Sequence, residues 1–75
     1  MTQIEQFIND ITNDAFLKAA ENPTGWITIS QLDQIIYDHP AYEFIHPYHL
    51  DEAVSEIEYI LKSNNRLFLR RDERV

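Results

Sequence analysis

A chain of 75 residues with net charge −7 and 44% apolar residues has room for one small acidic domain, residues 1–75, and is too apolar for a disordered tail. It contains no cysteine, which excludes disulfides and thiolate zinc sites, and no run of about 18 apolar residues, which excludes a spanning helix. Residues 1–10 carry Glu5 and Asp10 but no basic segment, so no signal peptide is expected and the expected location is the cytoplasm.

Ile4, Phe7, Ile8, Ile11 and Ala15 recur at spacings that stack on one helical face, so the first element reads as an amphipathic helix. Asp14 and Lys18 stand four apart in the favourable order. Phe16 and Leu17 fall off the stripe, leaving the end of this helix apolar on several sides, either wrapped by the chain or open to a partner. Asn22-Pro23-Thr24-Gly25, with the only glycine, ends it. Trp26-Ile27-Thr28-Ile29 reads as a very short strand. A second helix follows at once. Thr28 caps it, Gln31 completes a capping box, and Ile27 with Leu32 forms a hydrophobic staple. Leu32, Ile35 and Ile36 face inward. Ser30 with Asp33 is a competing cap.

Asp38 to His49 holds all three histidines, two of the three prolines, and Tyr42, Phe44 and Tyr48. Pro40 suits the first turn of a short helical piece through Ile45, and Pro47 the opening of a third main helix to about Ser63. There Leu50, Val54, Ile57 and Leu61 form a stripe widened by Ala53 and Ile60. Asp51 and Glu52 lie near its positive end and Lys62 near its negative end, and Glu58 with Lys62 is a favourable pair four apart. Asn64-Asn65 is a left-handed stop. Arg66-Leu67-Phe68-Leu69-Arg70 alternates like an edge strand, and residues 72–75 fray. The fold class is α+β, mostly helical, with three helices and a small two-stranded sheet. The element order resembles that of a winged helix, a likeness of architecture carried by no motif, with an incomplete wing of one strand.

Catalysis finds no support: there is no thiol, no glycine-rich phosphate loop, and no serine in an elbow or triad pattern. No enzyme, catalytic residue or cofactor is expected. His46 and His49, with Asp38, His39 and Asp51 nearby, are donors that suit zinc, copper or nickel. Pro47 holds His46 extended outside the helix, so the histidines are expected to cap helix ends or lie over aromatic rings, with no metal site.

Charge is unevenly placed. Residues 1–65 hold Lys18 and Lys62 against eleven acids, net −9, while residues 66–75 hold four arginines against Asp72 and Glu73, net +2. At roughly 100° per residue, the third helix turns Asp51, Glu52, Ser55, Glu56, Tyr59 and Lys62 away from its core stripe, with Glu58 beside it. Those acids meet phosphates with the wrong sign, so nucleic acid is disfavoured as a partner. The expected function is docking of a basic protein through Asp51, Glu52, Ser55, Glu56 and Tyr59. Tyr59 would serve as the aromatic anchor and the carboxylates would steer the partner. A sharper version has the carboxylates stand in for phosphates as a nucleic-acid mimic. The alternative is a winged-helix DNA binder using Arg66, Arg70, Arg71 and Arg74. The strand from Arg66 to Arg70 is a second surface, able to pair with a copy of itself in a homodimer. The same acidity also serves solubility alone.

Overall fold

A computed structural model of the protein describes residues 2–68. The order is α1 (Gln3–Glu21), β1 (Ile27–Thr28), α2 (Ile29–Asp38), a 3-10 turn (Tyr42–Phe44), α3 (Pro47–Ser63) and β2 (Leu67–Phe68). Most of the described chain is helical, with one two-stranded sheet.

Local hydrogen bonds fix the helix ends. Thr2 opens α1 with a capping box: its Oγ1 accepts from the Glu5 N–H at 3.1 Å and its own N–H donates to Glu5 Oε1 at 2.9 Å. Asn22, held extended before Pro23, closes the helix. Gly25, at φ 83°, completes the turn with its N–H on the Asn22 carbonyl, a backbone region that favours glycine. Thr28 caps α2 as expected, with Gln31 closing the box and Ile27 and Leu32 both buried. The Ser30 cap is not used. Pro47 is the first residue of α3. Asn65, at φ 58°, stops α3: its N–H donates to the Lys62 carbonyl and that of Arg66 to Leu61, the paired bonds of a Schellman motif.

Phe7, Ile11, Ala15 and Ala19 from α1 meet Leu32 and Ile36 from α2 and Ala53, Ile57 and Leu61 from α3, with Ile27, Ile45 and Leu67 closing the core. The chief packing partner of α3 is α1. The two strands run parallel, with Ile27 opposite Leu67 and Thr28 opposite Phe68. They are joined by the α2–α3 crossover that parallel strands require, not by a hairpin turn. Of the expected strand from Arg66 to Arg70, Leu67 and Phe68 are strand. Leu69 and Arg70 lie outside the described residues, as does the expected fraying of residues 72–75.

Three local expectations resolve differently. Phe16 packs against the core whereas Leu17 is exposed, so the end of α1 is covered on one side and open on another. Lys18 turns to Glu21 at 4.0 Å rather than to Asp14. Glu58 and Lys62 form no ion pair. Exposed pairs of this kind contribute about 0–1 kcal/mol, too little to hold two long side chains in one geometry.

Candidate functional site

Burial of Ala53, Ile57 and Leu61, with Leu50 and Val54 half-buried, fixes the rotation of α3. Asp51, Glu52, Ser55, Glu56, Tyr59 and Lys62 are all exposed, and Glu58 is half-buried at the edge of the stripe. All five expected docking residues therefore lie on the uncovered side of α3.

They do not form a single site. Glu52 and Glu56 line a groove of about 690 Å³ between α1 and α3. Asp51 and Ser55 line a second, of about 420 Å³, between α2 and α3, together with Asp33, Tyr37 and Glu58. Tyr59, 68% exposed, lines neither groove. It stands on the crest between them, where a partner can cover its ring from either side.

Asp51, Glu56 and Glu58 have no ion-pair partner among the described residues, and Glu52 has only a long approach to His49 Nδ1 at 3.8 Å. Like charges four apart, as Glu52 and Glu56 are, destabilise a helix by about 0.2–0.5 kcal/mol, a cost that a cationic partner would relieve. Ser55 has no hydrogen-bonded histidine beside it, so the face holds no nucleophile paired with a base among the described residues.

The histidines are engaged structurally. His46 caps α3, its Nδ1 accepting from the Tyr48 N–H at 3.1 Å. The His49 ring stands edge-on to those of Tyr48 and His46, at 5.5 and 6.1 Å. His39 joins three segments: Nδ1 accepts from the Ala41 N–H at 3.0 Å, Nε2 lies 2.9 Å from Asp10 Oδ2, and the ring meets Phe7 edge-on. With Nδ1 accepting, the proton resides on Nε2 and is donated to Asp10. That hydrogen bond, followed by one from Gln6, holds the Asp10 carboxyl below the usual carboxylate range against a smaller opposing effect of burial. Among the described residues no three metal-donor side chains converge.

Periodicity missed the α1 wall of the larger groove. Ile4, Glu5 and Ile8 line it opposite Glu52, Glu56 and Ile60. Ile4, Ile8 and Ile60 were expected to complete the core stripes, yet all three are only half-buried. The stripes of α1 and α3 are wider than one helix pair can cover, and that width is the signal a sequence reading can use. Elsewhere Phe44, 73% exposed, and Tyr37 and Tyr48 form exposed aromatic surface around the 3-10 turn. No family model, curated protein or solved structure matches this chain.

Proposed function

We propose that this chain is a non-enzymatic docking module that binds a basic protein through the outer face of α3. The observation that carries the reading is Tyr59: a large aromatic side chain, two-thirds exposed, on a helix crest flanked by Glu52 and Glu56, neither paired with a lysine or arginine among the described residues. Desolvating an exposed aromatic is a common source of binding energy, and uncompensated carboxylates raise encounter rates with cationic surfaces. A nucleic-acid-binding protein is one such partner, with Asp51, Glu52, Glu56 and Glu58 standing in for phosphates. A cysteine-free acidic chain suits the reducing cytoplasm, and no described helix is long and apolar enough to cross a membrane.

The second reading, a winged-helix DNA binder, rests on the element order and on the C-terminal arginines. It would place the acids of α3 against phosphate oxygens, which is why it stands second. A homodimer through β2 would use the strand edge not paired with β1.

Affinity capture with the wild type and with Glu52→Lys, Glu56→Lys and Tyr59→Ala combined tests the proposal, with thermal melts in parallel. Exposed substitutions shift stability by about 0.5 kcal/mol or less, so the variant stays folded. The expected result is loss of the captured basic partner. Capture of the same partners with unchanged affinity by the folded variant refutes it.

A further inference from the structure

We infer that the groove between α1 and α3 seats one amphipathic helix of the basic partner, whose apolar stripe is flanked by lysine or arginine. This rests on the proposed docking role of α3 and adds where the partner sits and what it presents. The floor is Ile4 and Ile8 from α1 with Ile60 from α3, and the rim is Glu5, Glu52 and Glu56. Among the described residues no lysine or arginine lines this groove. The cleft between α1 and α2 differs, being smaller at about 410 Å³ and carrying Lys18, paired with Glu21, on its edge. The groove between α2 and α3 is also smaller, at about 420 Å³, and more polar.

The shape favours a helix. Ile4 and Ile8 are four apart on α1, as Glu56 and Ile60 are on α3, and rows at that spacing are the ridges into which a third helix packs. From Glu52 to Ile60 the α3 wall is about 12 Å long, a little over two helical turns. A helix of that length presents apolar side chains at i, i+3 or i+4, and i+7 to the three isoleucines, the usual pattern of helix-in-groove recognition. Its flanking cations then reach the carboxylate rim. A nucleic-acid strand would leave the isoleucines uncovered and bring phosphates against that rim.

The test uses the full chain and two synthetic peptides of about 14 residues, roughly 20 Å as helix. Both have the same leucine and lysine composition. One places leucine at i, i+3, i+4, i+7 and i+8, and the other scrambles it. Seating even one leucine on the floor corresponds to about tenfold in affinity, so the amphipathic peptide is expected to bind at least about tenfold tighter. Combining Ile8→Ser with Ile60→Ser should erase that preference, with a thermal melt to check folding. Backbone amide shifts of the wild type, which need no variant, should concentrate at residues 4–9 and 52–60. Equal affinity for the two peptides overturns the groove and leaves the acidic face as a docking surface. So do shifts centred in another cleft. Failure of both peptides to bind overturns the groove and counts equally against the acidic face.

Discussion

Replacing Thr12 by valine should stabilise the protein. Thr12 is 8% exposed, and its Oγ1 is buried with no hydrogen-bond partner among the described residues. It lies on α1 one turn from Ile8 and one from Phe16, both packed against the core, so water does not reach the hydroxyl. Holding such a group without a partner costs about 1–3 kcal/mol. Valine keeps the shape, exchanges the hydroxyl for a methyl and has a similar helix propensity. The expected gain is about 1–2 kcal/mol, a substantial part of the roughly 4–11 kcal/mol that about 0.05–0.15 kcal/mol per residue implies for this length. At about 4–8 °C per kcal/mol, Tm should rise by several degrees. Thr12→Ser, which keeps the hydroxyl and deletes the methyl, should lose about 1 kcal/mol. Urea unfolding followed by circular dichroism resolves both, provided the m value is unchanged. A Thr12→Val midpoint at or below the wild type refutes the reasoning. It would mean that the hydroxyl is bonded in solution, for instance to the Ile8 carbonyl one turn back.

Thr28→Ala removes the Oγ1 acceptor of the Gln31 N–H and should cost about 1 kcal/mol, read as a drop in the thermal midpoint of about 4–8 °C. Asn65→Gly should be neutral or mildly stabilising at φ 58°, whereas Asn65→Val should lose about 1–2 kcal/mol, both measured as urea midpoints. Asp10 titrates below its ordinary 3.8 in the folded state, so between that lowered value and 3.8 the unfolded chain binds the extra proton. The stability it contributes is present above 3.8 and lost as pH falls through the lowered value. Asp10→Asn should remove that part of the pH dependence from urea midpoints taken between about pH 2 and 5.

Features set within three or four residues were legible in the sequence. The box at Thr28 and Gln31, the opening of α3 at Pro47 and the left-handed stop at Asn65 each appear where residue chemistry placed them. So does the outward set from Asp51 to Lys62, because a 17-residue helix with one buried stripe has only one possible rotation. Pairing across the chain was not legible. Strands of two residues carry no register signal, so the parallel match of Ile27 with Leu67 is set by the packing of the helices that join them. The contact of His39 with Asp10 spans 29 positions and follows from where α2 ends against α1. The grooves were hidden for a related reason. Periodicity assigns Ile4, Ile8 and Ile60 to a face, but only the placement of α1 beside α3 decides how much of that face is covered.

In the proposed docking role, a basic partner is steered to the carboxylates on the outer face of α3. The most direct measurement is the association rate of the captured partner with the wild type and with Glu52→Lys combined with Glu56→Lys. Salt would be varied from about 0.01 M to about 1 M, where the screening length shrinks from about 30 Å to about 3 Å. The wild-type rate should fall steeply across that range, with dissociation changing far less. The charge-reversed protein should associate slowly throughout, with its salt dependence flattened or inverted. Identical association rates for the two proteins at every salt concentration would contradict the claim.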